Sequence, residues 1–411
     1  MDSTSGLATA EQLLTALALI LAAGAAGGAL AGRIRVPDVA VFLLLGILLG
    51  PAVLGWVALP AGSAVNQFIL MFGSCYILFD GGMTLRLAVL KQVWITIVAI
   101  STVGVAITAA VTGAAASVLL DMPLPVGLLL GAVIASTDPA TLVPVFRQVK
   151  IRQRLQQTVI SESAFNDAMG AILTFTLLGV VAGGAQVSLG AAALDLLREA
   201  GLGIGVGAVI GVLAAVLLAH PRMALPAPLA PVITLAAVAG AYACADALHA
   251  SGFMAVFVLG VVVGNRDALG LVSAPGEADQ LEHYVAAMSL VLRLLIFVLL
   301  GTQVDFALVG RYLLPGLAVV AVFMGLARPL TVLACAAPDR RARWSRAELL
   351  FMCWTRETGV IPAALAGMLL GMNAPGAETI AAVTFLAILA TILIQAPSTA
   401  WLGRKLGLMQ P

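Results

Sequence analysis

The amino-acid sequence predicts an all-α polytopic membrane protein with about thirteen transmembrane helices. The chain is 62% hydrophobic and only 10% charged, whereas soluble domains average roughly 45–50% apolar and about 25% charged residues. Apolar runs recur along its whole length, and each is close to the ~20 residues that cross a hydrocarbon core of ~30 Å. The loops between these runs are alternately rich and poor in lysine and arginine, as is typical of a chain that crosses a bilayer repeatedly.

Each span is placed by its hydropathy and by the glycine, proline and charged residues that interrupt the apolar runs. The predicted spans are 9–31, 37–56, 64–83, 93–118, 124–145, 155–182, 190–219, 229–247, 252–264, 281–301, 308–336, 346–370 and 377–402. Spans one to six and eight to thirteen form two six-helix halves of opposite topology, and the seventh span joins them. The fifth and twelfth spans hold corresponding places in the two halves, and both are predicted to break where they cross at the midplane.

The basic residues set the predicted orientation. Sixteen of the 21 lysines and arginines fall in alternate loops, and the loop that ends at Arg346 alone carries four of them. Since cytoplasmic loops hold the excess of basic residues, the N-terminus is expected outside and the C-terminus in the cytoplasm. The predicted location is the cell's inner (plasma) membrane.

The composition gives no support to several classes of function. A net charge of +1 without a clustered basic face does not indicate a nucleic-acid partner. The four cysteines are scattered without a CxxC pair, so neither a disulfide framework nor a zinc site is expected, and no cofactor is predicted. An intramembrane enzyme would need a nucleophile with a base, or a metal motif, at one depth. No histidine lies deep in a span, so we predict that the protein is not an enzyme.

Charged residues also occur deep within the spans, where they are costly and usually face a bundle interior or an aqueous cavity. They are three arginines and four acids, namely Arg293, Arg328, Arg356, Asp138, Glu162, Asp167 and Glu357. This count leaves one acid without a fixed partner. Desolvation makes an unpaired carboxylate easier to protonate, so a proton and a cation would compete for it. We expect Asp167 to be this acid.

Two sequence interruptions predict the helix breaks. In the fifth span, Asp138 precedes Pro139, which cannot donate a backbone hydrogen bond and disfavours helical geometry at the residue before it. In the twelfth span, the segment 355–362 combines Arg356 and Glu357 with a glycine and a proline. Such breaks are tolerated only inside protein or beside water, and paired breaks in two halves indicate a transporter's binding site.

The sixth span adds oxygen ligands at the same depth. Glu162 and Asn166 are one turn apart, as are Ser163 and Asp167, so two adjacent stripes of one helix carry them. Hard oxygen ligands suit Na⁺ as they suit Ca²⁺ or Mg²⁺, and a lone carboxylate matches a single positive charge.

Together, the run from Glu162 to Asp167 and the preceding Ser136-Thr137-Asp138-Pro139 resemble the Na⁺/H⁺ antiporters of the NhaP and eukaryotic exchanger type, in the monovalent cation:proton antiporter-1 family. The resemblance covers essentially the whole membrane domain. It implies that Asp167 binds cation or proton, that Asn166 steadies the site, and that Ser163 and Thr137 supply oxygens to a bound Na⁺. From its place at the break, Asp138 is also expected among the cation-binding residues.

The resemblance also implies a structural ion pair between Glu162 and Arg328 of a later core helix. Two departures from the family pattern stand out. A Phe-Glu-x-Gly motif of the third helix corresponds to Phe79-Asp80-Gly81-Gly82, where the acid is shortened to Asp80. Relatives read Gly-Leu-Arg-Gly where this chain has Arg356 followed by Glu357, and the added Glu357 is placed to neutralise Arg356.

The same resemblance implies a homodimer in which each chain has a dimerisation part and a mobile core, with elevator-like alternating access. Because the pair is Asn-Asp, it implies electroneutral one-for-one exchange. The implied boundaries are 1–92 for helices 1–3 of the dimerisation part, 93–185 for core helices 4–6, 186–222 for linking helix 7, 223–304 for dimerisation helices 8–10 and 305–411 for core helices 11–13.

The expected function is therefore exchange of Na⁺, with Li⁺ as a further possible substrate, for H⁺ across the lipid bilayer. Two alternatives stay open. A K⁺/H⁺ antiporter would use the same machinery with a different pocket size, and a passive cation channel would also place acids along its pore.

Overall fold

The computed structural model describes residues 3–34, 36–137, 146, 151–183, 189–219, 223, 225–271 and 276–409. Within these ranges the chain is helical, apart from connecting turns and one isolated antiparallel bridge between Ile151 and Met409. The eighteen α-helices of the described residues are α1 Ser3–Ile34, α2 Asp38–Leu49, α3 Ala64–Met83, α4 Leu87–Ser101, α5 Val103–Leu119, α6 Leu124–Ala135, α7 Gln153–Val181, α8 Leu189–Ala219, α9 Ala230–Ala247, α10 Gly252–Gly264, α11 Glu277–Thr302, α12 Phe306–Arg311, α13 Leu313–Val322, α14 Arg328–Cys335, α15 Arg346–Trp354, α16 Val360–Gly371, α17 Ala377–Ala390 and α18 Ala396–Lys405.

The predicted all-α polytopic class is confirmed. Nine helical segments in the described ranges are long and apolar enough to cross a membrane, and four shorter apolar helices accompany them. These segments correspond one by one to the thirteen predicted spans. The fourth span consists of α4 and α5, and the tenth begins at Glu277, four residues before the predicted start at 281.

The two predicted breaks differ in how much of each is described. In the twelfth span, α15 ends at Trp354 and α16 begins at Val360, so residues 355–359 form the non-helical break. In the fifth span, α6 ends at Ala135, and Ser136 is already extended with φ −70° and ψ 146°. This helix therefore ends before the predicted break at residues 137–138, while Asp138 and Pro139 lie outside the described residues.

Two π-helical turns, Phe323–Ala327 and Thr391–Gln395, lie inside the eleventh and thirteenth spans. Each comes immediately before a residue that is followed by proline, at Pro329 and Pro397. Because proline has no backbone N–H to donate, the helix widens there by one residue. The first widened turn leads directly into Arg328, which is buried.

The helices pack in two groups. The first group contains α1 to α3 and α8 to α11, with extensive contacts between α8 and α10, α3 and α10, and α2 and α11. The second contains α4 to α7 and α12 to α18, with extensive contacts between α5 and α6 and between α6 and α7. Contacts of α7 with α3 and α10, and of α16 with α3, join the two groups.

Glycines allow the closest of these helix crossings. On α8, Gly203, Gly207 and Gly211 recur every four residues; the first two face the backbone of Ser251, just before α10, and of Ala255, and the third faces Val262 on α10. A Cβ atom at any of the three glycines would collide with its neighbour. Small residues at such positions let helix backbones approach in a bilayer, where van der Waals packing drives association.

Candidate functional site

The extended end of α6 contacts α7 through a cluster of three buried polar residues. The Thr137 Oγ1 and Ser163 Oγ atoms are 2.6 Å apart. The Asn166 side-chain amide donates to Thr137 Oγ1 at 2.8 Å, and its carbonyl oxygen accepts from the Thr137 backbone N–H at 3.0 Å. The structure therefore brings together Thr137, Ser163 and Asn166, all of which the sequence singled out.

Asp167 follows Asn166 on α7 and lies one turn from Ser163. Its residue is only 1% exposed, although both carboxylate oxygens are strongly polar. A carboxylate in such a setting is neutralised by a proton, a cation or a fixed partner. Thus Asp167 is close in sequence and in space to the oxygens of the Thr137, Ser163 and Asn166 cluster.

Glu162 and Arg328 form a bidentate ion pair deep in the second helix group. Arg328 Nη2 donates to Glu162 Oε2 at 2.9 Å, and Nη1 donates to Oε1. Both side chains are at most 2% exposed. Arg328 also donates to the Met352 carbonyl oxygen at 2.8 Å and to the Thr355 carbonyl oxygen at 3.3 Å. One arginine thus connects α7, α14 and the C-terminal end of α15.

Arg356 lies in the break of the twelfth span and contacts the end of α6 in the fifth span. Its Nη1 donates to Thr108 Oγ1 at 2.9 Å, its Nη2 donates to the Ala135 carbonyl oxygen, and its guanidinium carbon is 5.0 Å from the ring centroid of Phe323. Glu357, which follows Arg356 in the break, accepts from Thr399 Oγ1 at 3.4 Å through its Oε1 atom; its expected neutralisation of Arg356 stays a prediction.

Each of these two arginines therefore binds the C-terminal carbonyls of a half-helix. Arg328 is bonded at the end of α15, and Arg356 at the end of α6. A helix C-terminus has unpaired carbonyls and a partial negative charge, equivalent to roughly half an elementary charge. A fixed cation at that end satisfies the carbonyls and offsets the charge.

Arg293 has a partner that the sequence count did not include. Its Nη2 atom lies 3.3 Å from Asp38 Oδ2, and the two side chains are 12% and 18% exposed. Asp38 is the first residue of α2, and its Oδ1 accepts from the Val39 backbone N–H at 3.0 Å. Counting Arg293 against the four deep acids was wrong, since an acid at the end of another helix pairs with it.

Of two further predicted site residues, one lies on α3 and the other lies outside the described ranges. Asp80 is half-buried on α3, and its neighbour Gly81 approaches Ile160 of α7. Asp138 lies outside the described residues.

The sequence analysis missed two buried threonines beside the site. Thr108 on α5 and Thr331 on α14 are both fully buried, and their hydroxyl oxygens are 3.1 Å apart. Thr331 lies one turn from Arg328 on α14. A threonine in an apolar helix rich in alanine and glycine carries no signal of its own, so only the fold could reveal this contact.

At one end of the second helix group, buried acids organise the loop before α15. Glu348 accepts from Arg154 Nη2 at 3.0 Å and forms a capping box with Ser345. Asp339 accepts from Thr96 Oγ1 at 2.6 Å and from the backbone amides of Arg341 and Ala342. Burial alone would raise the pKa of Asp339, but these hydrogen bonds together hold it below its usual value.

Comparison with known proteins assigns the chain to a family. A sequence model described as "Sodium/hydrogen exchanger, transmembrane" matches residues 16–405. The chain belongs to the sodium/hydrogen exchanger family. The resemblance predicted from the motifs is thus confirmed, and membership of a family of exchangers removes the enzyme alternative.

Individual sodium/hydrogen exchanger relatives cover nearly all of the chain. It is 31% identical to Na(+)/H(+) antiporter 1 of Methanocaldococcus jannaschii, over 95% of each chain. It is 28% identical to the K(+)/H(+) antiporter NhaP2 of Shewanella oneidensis, over 98% of this chain and 67% of that protein. The solved structure of the sodium proton antiporter MjNhaP1 from M. jannaschii at pH 8 superposes with a TM-score of 0.80, at 29% identity, covering 96% of this chain and 99% of that one.

Proposed function

We propose that the protein is a secondary active antiporter that exchanges Na⁺ for H⁺, with Li⁺ as an alternative cation to test. The observation that carries this proposal is the buried polar cluster at the end of α6, where Thr137, Ser163 and Asn166 meet beside the buried Asp167. Two supports combine here: the chain belongs to a family of exchangers, and it has a buried carboxylate beside hydroxyl and amide oxygens. Exchange of a cation for a proton requires such a site.

Competition for Asp167 would couple the two ions. In this proposal a proton and a cation bind the same buried carboxylate and offset its charge in turn, so binding of one ion excludes the other. In this proposal Ser163 and Thr137 supply oxygens to the cation, Asn166 orients Thr137, and Asp138 and Asp80 are further cation-binding residues. One carboxylate that carries one proton or one monovalent cation gives electroneutral one-for-one exchange.

The Glu162–Arg328 pair has a structural role in this proposal. Both partners are desolvated and bonded to each other, so neither is available to a transported ion. Arg356 likewise has a structural role, because it donates to the Ala135 carbonyl oxygen at the end of α6. Glu357, which accepts from Thr399, connects the break to α18.

The two helix groups support a division into a dimerisation part and a mobile core. The first group corresponds to 1–92 and 223–304 with the linking helix at 186–222, and the second to 93–185 and 305–411. We propose elevator-like alternating access in which the core moves against the dimerisation part of a homodimer. The basic residues at 340–346 support a cytoplasmic C-terminus in the plasma membrane.

A second candidate is K⁺/H⁺ exchange by the same mechanism. It is favoured by a specific observation, since the relative from Shewanella oneidensis is named a K(+)/H(+) antiporter. The site uses the same types of oxygen in either case, so the choice between Na⁺ and K⁺ depends on the size of the pocket.

Purified protein in liposomes that contain a pH-sensitive dye tests these proposals. An inward Na⁺, Li⁺ or K⁺ gradient, applied in turn with no membrane potential, should drive protons outward for the preferred ion. Asp167→Asn should abolish this movement, whereas Asp195→Asn, at an exposed position on α8, should not. Failure of every cation gradient to drive protons uphill would favour a passive channel, and exchange by the Asp167→Asn variant would refute the assigned site.

A further inference from the structure

The fully buried Thr108 on α5 connects two parts of the candidate site. Its hydroxyl oxygen accepts from Arg356 Nη1 at 2.9 Å and lies 3.1 Å from Thr331 Oγ1. The Thr331 hydroxyl in turn lies 3.3 Å from the Gly104 carbonyl oxygen on α5. A threonine hydroxyl has one donor and two acceptor positions, so it can serve both neighbours at once.

Thr108 holds only one edge of the Arg356 guanidinium. The Nη2 atom donates to the carbonyl oxygen of Ala135, the last residue of α6. The guanidinium carbon lies 5.0 Å from the ring centroid of Phe323. A planar guanidinium presents its donors in a rigid fork. Fixing Nη1 on Thr108 therefore fixes the direction in which Nη2 meets the end of α6.

The end of α6 is in turn attached to the ion-binding cluster. Thr137 is two residues after Ala135, and its backbone N–H and hydroxyl are both bonded to Asn166. The short extended segment is thus held at Ala135 by Arg356 and at Thr137 by Asn166. A change in the direction of Arg356 would move one of these two attachment points.

We infer that Thr108 is a positioning residue for the ion site, acting through Arg356 and the end of α6 on Thr137. This inference rests on the proposed antiport function and adds a residue to its machinery. Thr108 bonds to Arg356 and Thr331, and its effect reaches the ion by way of the arginine.

Thr112 offers a matched control on the same helix. It lies one turn from Thr108, is equally buried, and its hydroxyl has no hydrogen-bond partner in the described structure. Threonine and valine have nearly the same shape, so each substitution removes a hydroxyl and leaves the packing almost unchanged. Only the Thr108 substitution removes a bond to Arg356.

The test compares Thr108→Val, Thr108→Ser and Thr112→Val in the liposome exchange assay. Mutations within a coupled network change the coupling by amounts that correspond to about twofold to thirtyfold in affinity. We expect Thr108→Val to raise the apparent KM for the cation by that factor with little change in maximal rate. Thr108→Ser keeps the hydroxyl and should retain the wild-type KM, as should Thr112→Val.

A fourth variant tests the path through the arginine. In an Arg356→Lys background, Thr108→Val should add less than twofold, because a lysine has no fork to orient. If Arg356→Lys is too slow to measure, the comparison of Thr108→Val with Thr108→Ser decides. Equal KM values for wild type and Thr108→Val, or equal increases for Thr108→Val and Thr108→Ser, would overturn the inference.

Folding and the proposed function are checked separately. Thermal melting of each purified variant identifies one that is misfolded, and Thr108→Ala replaces Thr108→Val in that case. If wild-type protein exchanges ions and Thr108→Val is unaffected, the inference alone fails. If wild-type protein exchanges no cation for protons, the proposed function fails with it.

Discussion

Replacing Glu162 by glutamine should strongly destabilise the protein, because it would leave Arg328 without its counter-ion. The pair is desolvated, with side chains 1% and 2% exposed, and is bidentate. Removing one partner of a buried ion pair typically costs about 3–5 kcal/mol, since the remaining charge stays buried and uncompensated. Arg328 keeps its bonds to the Met352 and Thr355 carbonyl oxygens, but these carry only partial charge, so we expect about 3 kcal/mol or more.

Unfolding in mixed micelles of detergent and dodecyl sulfate, followed by tryptophan fluorescence, measures this loss of stability. Arg152→Gln is a suitable control, because Arg152 lies 3.9 Å from Glu348 and its side chain is 53% exposed. Exposed pairs contribute roughly 0–1 kcal/mol. A double variant with methionine at both Glu162 and Arg328 should be less destabilised than Glu162→Gln, because no unpaired charge is left.

Two results would contradict this reasoning. A loss below about 1 kcal/mol for Glu162→Gln would mean that Arg328 is solvated or finds another acid. A double variant that loses as much as both single variants together would mean that Glu162 and Arg328 act independently.

Three further predictions concern charges and caps away from the ion site. Asp38→Asn should reduce the free energy of unfolding by about 1–3 kcal/mol, because it weakens the contact with Arg293. This value lies between those of exposed and of fully buried ion pairs, and mixed-micelle unfolding measures it. Asp339 has a pKa lowered in the folded state, so the melting-temperature difference between wild type and Asp339→Asn should be complete above the ordinary aspartate pKa and shrink as the pH falls below it. Ser345→Ala removes the capping-box hydroxyl at the start of α15 and should lower the unfolding free energy by about 1 kcal/mol.

Each of these predictions has a control. Asp267→Asn, at an exposed position, should leave stability unchanged, and an equal loss there would contradict the Asp38 assignment. A melting-temperature difference that grows on acidification would contradict the lowered pKa of Asp339. Ser345→Thr should keep the cap, and a loss equal to that of Ser345→Ala would show that the hydroxyl is not the cause.

The spans and their breaks could be predicted because the signals are local. Apolar runs interrupted by loops identify helices through the cost of exposing backbone in lipid, and proline at 362 with glycine at 359 marks the break of the twelfth span. The cluster on α7 was also local, because Glu162, Ser163, Asn166 and Asp167 follow from one helical repeat.

Pairings between distant helices were harder to predict. The Arg293–Asp38 contact joins residues far apart in sequence. Asp38 lies at the start of its span, so depth within the spans gave no reason to choose it as the partner of Arg293. The early end of α6 has a similar cause. Proline at 139 predicts a break near residue 138, but the hydrogen bonds between Thr137 and Asn166 are available only once α7 is packed beside it.

Some features carry no recognisable sequence signal. The bond from Arg356 to Thr108 depends on which of the two threonines in α5 faces the break. The π-helical turns before Pro329 and Pro397 could have been read as ordinary proline kinks.

The attachment of both half-helix ends to buried arginines limits how the molecule can change shape. Arg328 joins α7 and α14 to the end of α15, and Arg356 joins the segment after α15 to the end of α6. Sliding one end past the other would leave a guanidinium in hydrocarbon with its donors unmet. In the proposed alternating-access cycle, both half-helix ends would therefore move as a single piece, with the hinges at its borders.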